Sequence, residues 1–331
     1  MITLKTFIQR GEIIESVHNA KCLVKNSNLK TVLTTGHEKD LVFPRSAIKI
    51  FQAMPFISSN AHKIFNLNPK YLAISCSSHC GEPMHIKALK EWLKKTNISI
   101  NNLKCGIHNP INLKSSNKLL LAGKTPSQLH NNCAGKHLAM ITGCMARGIP
   151  IKNYISFNHP YQKLIRSSLE YFMGTKIIKK TIGVDGCSAP QYAFRMNYLA
   201  SGMINLINEK NSKSKISKQI NLLLNSIHKF PLLIGGTNRF DSEVIKFTKS
   251  NIFCKGGAEG VLLFVHVKKN IGGVIKIADG NERAIPPVAM KVFSKLNLLN
   301  KYEKEKLKHW NNINIINHAK KRVGNIFAKI I

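Results

Sequence analysis

The sequence has few acidic residues and no long apolar run. Only 16 of its 331 residues are Asp or Glu, against 50 Lys or Arg, which gives a formal net charge of +34 at pH 7. No stretch approaches the ~18 uncharged apolar residues that a transmembrane helix needs, so we expect no membrane partner. The first residues, MITLKTFIQRGEIIE, interleave charged and apolar side chains, which predicts that they are not a secretory signal. A cytoplasmic location is therefore expected.

The cysteines have no regular spacing. Eight of them stand at positions 22, 76, 80, 105, 133, 144, 187 and 254, and none forms a Cys-x-x-Cys pair. A small disulfide-bonded scaffold is therefore excluded, and reduced thiols are expected. Spacing alone leaves two interpretations of Cys133 and Cys187 open, either zinc ligands or ordinary buried thiols.

The excess of positive charge raises the question of nucleic-acid binding. A nucleic-acid footprint clusters basic residues on one face or in one run. Here the lysines are scattered, and the dense stretch over 301–308 is interrupted by Glu303 and Glu305. We therefore expect no specific nucleic-acid partner, although charge of this size predicts salt-sensitive, non-specific adhesion to polyanions. A basic, non-catalytic polyanion-binding protein stays open as an alternative.

Composition and hydrophobic pattern predict an α+β fold. Hydrophobic residues make up 44% and charged residues 20% of the chain, as in ordinary soluble globular proteins. Strands at both ends of the chain, with helices between them, indicate a sheet that joins the two ends. β-Hairpins are predicted within residues 12–34 and over GVLLFVHV and GGVIKIAD, and a buried strand over 71–75. Helices are predicted after Pro44, from Pro83, and over 133–145, 160–173, 190–207, 215–228, 241–249 and 285–298.

Small, polar, glycine-containing patches are the candidates for chemistry, because turns of this kind hold reactive side chains on a rigid scaffold. They are PRSAIK (44–49), SCSSHCGEP (75–83), NNCAGKH (131–137), GVDGCSAP (183–190), GGTNRFD (235–241) and CKGGAEG (254–260). In the first patch, Ser46 and Lys49 share one face of a predicted helix. Burial lowers the pKa of an ammonium, so a buried lysine can take the proton of a serine hydroxyl. A capping serine beside a solvated lysine is the alternative, and KGGAEG alone is typical of a glycine-rich turn.

The order of these patches carries a family resemblance. Through RSAIKIFQAMPF, SSHCGEP, NCAGKH, GVDGCSAP, GGTNRFDSE and KGGAEG, the sequence resembles the asparaginase II family, the rhizobial-type or class 3 L-asparaginases. The resemblance implies a fold similar to serine β-lactamases, penicillin-binding proteins and glutaminases, with an antiparallel sheet layered with helices, and a homodimer. We expect a single catalytic domain over residues 1–331, with a helical subdomain around 80–230.

The resemblance also implies a site, residue by residue. The two Ser-Lys tandems of the family fall on Ser46 with Lys49 and on Ser78 with Lys255. Its zinc site of two cysteines and one lysine falls on Cys133, Lys136 and Cys187. The residues expected to shape the pocket for the amino and carboxylate groups of the substrate are Glu82, His137 and Asp185.

The reaction implied is hydrolysis of L-asparagine to L-aspartate and ammonia. Ser46 is the preferred nucleophile with Lys49 as its base, and the assignment to Ser78 stays open. Zinc is the expected cofactor, either positioning the substrate or purely structural. Glutaminase or β-lactamase-like hydrolysis is the alternative, because one methylene changes the fit of a substrate by only about 1–3 kcal/mol.

Overall fold

The computed structural model describes residues 2–249 and 251–331. Its strands are β1 (Leu4–Arg10), β2 (Ile13–Lys25), β3 (Thr31–Thr34), β4 (Leu41–Val42), β5 (Ile182–Val184), β6 (Pro190–Tyr192), β7 (Phe194–Arg195), β8 (Ile252–Gly257), β9 (Val261–His266), β10 (Ile271–Ile277), β11 (Asn312–Ile316) and β12 (Arg322–Ile330). Its α-helices are α1 (Lys49–Gln52), α2 (Met54–Ser58), α3 (Ala61–Ile64), α4 (Pro69–Ser75), α5 (Pro83–Thr96), α6 (Leu113–Leu121), α7 (Ala134–Ala146), α8 (Pro160–Met173), α9 (Met196–Lys210), α10 (Lys215–Lys229), α11 (Phe240–Phe247), α12 (Ile285–Lys295) and α13 (Lys301–Asn311). Within these ranges, no helix combines the length and the apolar character that crossing a bilayer requires.

One compact unit, the sheet unit, contains both ends of the chain. It covers residues 2–47, 194–208 and the described part of 243–331. Its sheet has the strand order β11-β12-β1-β2-β10-β9-β8, with β3 also paired to β2, and each pair is antiparallel. Strand β1 pairs with β12 from Leu4 opposite Ile330 to Arg10 opposite Gly324. The prediction of an antiparallel sheet that joins the two ends of the chain is therefore confirmed.

The core of the sheet unit lies around β9 and α12. All six residues of β9 are buried, as expected for a strand between two neighbours with both faces covered. Helix α12 contacts β1, β10 and β12. Its Phe293 meets Phe264 of β9 edge to face, with ring centroids 5.1 Å apart. A helix on the face of an antiparallel sheet confirms the predicted α+β class.

The second compact unit, the helical unit, covers residues 48–193 and 209–242. Its helix α4 contacts α5, α7 and α10. A glycine allows α7 to approach α4 closely, because a Cβ atom added at Gly135 would lie 2.1 Å from the carbonyl oxygen of Ile74. Trp92 of α5 packs against Phe56 and Tyr71, with ring centroids 5.4 and 5.8 Å apart. The close approach at Gly135 places the first turn of α7, where several candidate site residues lie, against the end of α4.

Two predicted elements are wrong. Residues 71–75 are helical, because Asn68 caps α4 by accepting the Lys70 N–H at 3.2 Å and Pro69 occupies the first turn. A short apolar run alone does not distinguish a buried strand from a buried helix. The helix predicted over 190–207 begins only at Met196, because residues 190–192 and 194–195 form β6 and β7. The helix predicted over 160–173 is confirmed as α8.

Candidate active site

Ser78 lies in the loop between α4 and α5, and backbone hydrogen bonds hold this loop in place. The N–H of Ser78 donates to the carbonyl oxygen of Ile234 at 2.8 Å, and that of Cys80 donates to Gly235 at 2.9 Å. Gly236 has a φ of +127°, and a Cβ atom there would lie 2.2 Å from Cys80 Sγ. Only glycine fits this close approach. The SSHCGEP and GGTNRFD patches are therefore neighbours in the helical unit.

Lys49 is the first residue of α1, and its side chain is buried with 1% exposure. Its Nζ donates to Ser78 Oγ at 3.1 Å and to Cys133 Sγ at 3.2 Å. It also donates to the carbonyl oxygen of Ser77. One amine therefore touches both a candidate catalytic serine and a candidate metal ligand.

Cys133, Lys136 and Cys187, which we call the Cys-Lys-Cys cluster, come from two segments. Cys133 directly precedes α7, Lys136 lies in the first turn of that helix, and Cys187 lies in the turn between β5 and β6. Lys136 Nζ donates to Cys187 Sγ at 3.0 Å, and a hydrogen bond also joins the two thiols. All three residues are buried. The structure thus brings the three predicted zinc ligands together.

The charges of the cluster are coupled. The hydrogen bond from Cys133 and, after it, the ammonium of Lys136 lower the pKa of Cys187 to about 4, against the opposing effect of burial. The same hydrogen bond and burial raise the pKa of Cys133 to about 12. Burial disfavours the ammonium of Lys136, but the neighbouring Cys187 and Cys133 outweigh it and raise the pKa of that amine. The cluster is therefore a thiolate–ammonium pair beside a neutral thiol.

Asp185 shapes the turn that carries Cys187. Its N–H donates to the carbonyl oxygen of Ala189 at 2.9 Å, and its carbonyl oxygen accepts the Ser188 N–H at 2.8 Å. Its Oδ1 accepts the Gly186 N–H at 2.9 Å, and its Oδ2 lies 4.0 Å from Cys187 Sγ. The carboxylate of Asp185 therefore lies next to the cluster.

Glu82 joins three segments through its carboxylate. The N–H and the hydroxyl of Thr237 donate to its Oε2 at 3.2 and 3.0 Å. The side-chain amide of Asn112 donates to its Oε1 at 3.0 Å. These contacts place Glu82 between the start of α5, the GGTNRFD patch and the segment before α6. They give it a structural role that the sequence did not predict.

A second group of possible metal ligands surrounds Glu82. Ligand atoms of Cys80, Glu82 and His85 lie within 4.8 Å of one another. However, His85 Nδ1 accepts the Glu82 N–H at 3.1 Å, and His85 Nε2 bonds the carbonyl oxygen of Leu232 at 3.1 Å. Burial, followed by the carboxylate of Glu82, raises the pKa of the Cys80 thiol to about 11. Because these atoms cap α5, the group suits a metal less well than the Cys-Lys-Cys cluster does.

His137 follows Lys136 on α7 and is fully buried. Its Nδ1 lies 2.7 Å from the hydroxyl oxygen of Tyr154, and its Nε2 has no hydrogen-bond partner within residues 2–249 and 251–331. Burial and the ammonium of Lys136 lower the pKa of His137 to about 3. The imidazole is therefore neutral at physiological pH.

Ser46 and Lys255 belong to the sheet unit. Ser46 lies in a 3₁₀ turn over Arg45–Ile48, and Lys255 lies in β8, so the KGGAEG patch begins as a strand. Gly257 of β8 packs against the turn, since an added Cβ would lie 2.3 Å from the carbonyl oxygen of Pro44. The sheet unit therefore places the strand of Lys255 beside the turn that carries Ser46.

Comparison of the sequence with models of known protein families identifies the family to which the chain belongs. The profile described as L-asparaginase II matches residues 7–328, nearly the whole chain. The chain belongs to the L-asparaginase II family. This membership supports an amidohydrolase of the asparaginase type.

No curated protein is significantly similar to this L-asparaginase II family member. Among solved structures, a protein from Bacteroides dorei DSM 17855 that is assigned as a beta-lactamase is similar, with a TM-score of 0.39 and 10% identity. The match covers 88% of this chain and 93% of that one.

Two buried residues support the site of this family member without having been predicted. Asn131 Oδ1 accepts the Cys133 N–H at 2.9 Å, and its amide donates to the carbonyl oxygen of Cys105 at 2.7 Å. The position of Asn131 inside the NNCAGKH patch could have identified it as a site residue from the sequence alone. Tyr154 lies in none of the six patches, and only the fold brings it to His137.

Proposed function

We propose that this protein is an L-asparaginase, which hydrolyses the side-chain amide of L-asparagine to L-aspartate and ammonia. The family match over residues 7–328 supports amide hydrolysis. The main structural support for the proposal is a contact: the buried amine of Lys49 lies 3.1 Å from Ser78 Oγ. An amine held against a serine hydroxyl is what Ser-Lys hydrolases need to move a proton on and off that oxygen.

In the proposed mechanism, the hydroxyl of Ser46 attacks the amide carbonyl and Lys49 accepts its proton. Backbone N–H groups at the start of the Ser46 helix, together with Ser78, are proposed to stabilise the oxyanion of the tetrahedral intermediate. Ser78 then delivers a proton to the departing ammonia, with Lys255 as its partner by family resemblance. Water hydrolyses the aspartyl ester and restores the serine. Ser78 is the second candidate nucleophile, because its Oγ also lies within reach of Lys49 Nζ, at 3.1 Å.

We propose that the Cys-Lys-Cys cluster binds zinc. Two thiolates and an amine are a donor set that suits Zn²⁺, and Lys136 Nζ already lies 3.0 Å from Cys187 Sγ. Both Cys133 and Lys136 must lose a proton to bind, so we expect metal affinity to fall as pH falls. A bound zinc ion supplies a positive charge that can hold a substrate oxygen. A purely structural zinc is the alternative.

The pocket roles are proposed from the family resemblance, together with the position of each residue in the structure. Asp185, next to Cys187, is proposed to bind the α-amino group of the substrate. Glu82 is proposed to act on substrate binding through the Thr237 loop to which it is hydrogen-bonded. His137 is proposed to donate a hydrogen bond to the substrate. A homodimer and a cytoplasmic location remain proposals from the family resemblance and the sequence.

A matched pair of lysine variants tests this proposal. Lys49→Met should abolish ammonia release from L-asparagine, because the amine that serves the serines is lost. Lys63→Met, which alters an exposed lysine of α3, should keep the wild-type rate. Wild-type turnover by a folded Lys49→Met variant would contradict the Ser-Lys mechanism.

A further inference from the structure

A chain of hydrogen bonds ends on the ring of His137. The backbone N–H of Lys104 donates to the hydroxyl oxygen of Tyr154 at 2.9 Å. That oxygen lies 2.7 Å from His137 Nδ1. Tyr154 is 1% exposed and His137 is 0% exposed, so both side chains rely on neighbouring protein groups for their hydrogen bonds. Because the Lys104 N–H can only donate, the Tyr154 oxygen must be the acceptor in this first hydrogen bond.

Two arrangements of protons are compatible with these distances. If the Tyr154 hydroxyl donates to Nδ1, the ring carries its proton on Nε2 and a single group, Nε2–H, has no partner. If instead Nδ1–H donates to the tyrosine oxygen, both the buried tyrosine O–H and the Nε2 lone pair lack partners. A buried polar group without a hydrogen bond costs about 1–3 kcal/mol. The first arrangement leaves fewer such groups, so the network assigns the Nε2–H tautomer.

The surroundings of the ring connect it to the candidate site. His137 is adjacent to Lys136 on α7, and the titratable groups that act on the ring also include Cys133, Lys49 and Asp185. Its Nε2 is buried with no partner in the part of the chain that the structure describes. A buried, unpaired N–H beside a site calls for an explanation. Binding an oxygen atom of a ligand would provide the missing acceptor.

We propose that Tyr154 is a positioning residue that holds His137 as the Nε2–H tautomer, so that His137 donates a hydrogen bond to an oxygen atom of the bound amino-acid amide. The part that concerns the substrate rests on the proposed asparaginase function. The tautomer itself does not, because it follows from the contacts of Lys104, Tyr154 and His137 alone. The two parts can therefore be tested separately.

Nitrogen-15 spectra of histidine test the tautomer without any turnover. Protein labelled at histidine should show a His137 Nδ1 that lacks a proton and accepts a hydrogen bond, with the proton on Nε2. The His137 signals are those that disappear in His137→Gln. Tyr154→Phe should shift the Nδ1 signal downfield, because the accepted hydrogen bond is lost. Tyr161→Phe, which alters another buried tyrosine packed on α7, should not. A proton on Nδ1, or an unmoved signal in Tyr154→Phe, would overturn the assignment.

Kinetics with L-asparagine test the positioning role. Tyr154→Phe should raise KM about 2- to 10-fold, the equivalent of one lost hydrogen bond, while Tyr161→Phe keeps the wild-type KM. His137→Gln, which retains an N–H donor near the Nε2 position, should keep more activity than His137→Leu. In a His137→Leu background, Tyr154→Phe should have no further effect, because Tyr154 acts through His137.

The kinetic outcomes separate this inference from the proposed function. Additive effects of Tyr154→Phe and His137→Leu would show that Tyr154 acts independently of His137, and would overturn the positioning role. Absence of turnover by the wild-type protein would instead remove the asparaginase proposal and the substrate contact with it. The spectra would still decide whether Tyr154 fixes the His137 tautomer.

Discussion

Lys49 Nζ donates a hydrogen bond to Cys133 Sγ at 3.2 Å, across 84 residues of sequence. The contact joins Lys49, at the start of α1, to Cys133, next to the start of α7, inside the helical unit. The same amine donates to Ser78 Oγ at 3.1 Å. A change in the charge of the Cys133 thiol therefore affects Ser78 through the amine of Lys49. We therefore expect metal binding and serine chemistry to depend on each other.

Loss of the Ser46 hydroxyl should abolish ammonia release from L-asparagine. Ser46→Ala removes only one oxygen atom, so the fold should be unchanged and a thermal unfolding curve should match that of the wild type. Ser58→Ala, which removes a hydroxyl bonded to Pro55 in α2, serves as the control and should remain active. Full turnover in Ser46→Ala, with loss in Ser78→Ala, would move the nucleophile to Ser78.

Replacement of Cys187 should remove zinc. Cys187→Ser deletes the thiolate that Lys136 contacts at 3.0 Å, so elemental analysis should show little bound zinc. L-asparagine binding should weaken more than folding does. Cys144→Ser alters another buried cysteine, at the far end of α7, and should keep its zinc. Unchanged zinc content in Cys187→Ser would count against the three-ligand site.

A methyl group at Gly135 should disturb the cluster as well as the fold. The added Cβ of Gly135→Ala would lie 2.1 Å from the Ile74 carbonyl oxygen, so α7 must move away from α4. Overpacking of this kind costs about 1–3 kcal/mol, which urea unfolding would measure. Zinc content should also fall, because Cys133 and Lys136 flank this position.

The control for Gly135→Ala lies further along the same helix. Gly143→Ala would place a Cβ 2.2 Å from the Tyr161 hydroxyl oxygen, so it should also lower the free energy of unfolding. Because Gly143 is two turns away from the cluster, the zinc content should be retained. Equal zinc content in both variants would contradict the proposed link between the α4–α7 contact and the metal site.

The free energy of unfolding should fall in mild acid. Burial lowers the pKa of His79 and of His85 in the folded protein, whereas a histidine in the unfolded chain titrates near ~6.5. Below that pH the unfolded chain binds more protons, so stability decreases as pH falls, by up to about 1.4 kcal/mol per pH unit for each histidine.

Urea unfolding between neutral pH and mild acid would measure this slope of stability against pH. His79→Gln should make this slope shallower, because the buried histidine that resists protonation in the folded protein is removed. Equal slopes in wild type and His79→Gln would contradict the account.

Some helix boundaries could be predicted from neighbouring residues in the sequence, whereas several side-chain contacts depend on long-range packing. Helix α8 is bounded by Pro160 at its start and by Gly174, with a φ of +66°, at its end. Both signals are visible in the sequence. Residues 71–75 carried no periodicity, and the Asn68 cap, with Pro69 in the first turn, distinguishes their helix from a strand. The family pattern predicted the members of the Cys-Lys-Cys cluster. The contacts of Lys49 with Cys133 and of Tyr154 with His137 depend on how distant segments pack, which no local pattern encodes.

Ammonia release by the purified protein tests the central claim most directly. It should be measured with L-asparagine and, separately, with L-glutamine, at near-neutral and alkaline pH, with zinc content determined on the same sample. We predict turnover of L-asparagine, little turnover of L-glutamine, and bound zinc in the active sample. No turnover of either amide by a folded, zinc-loaded sample would contradict it.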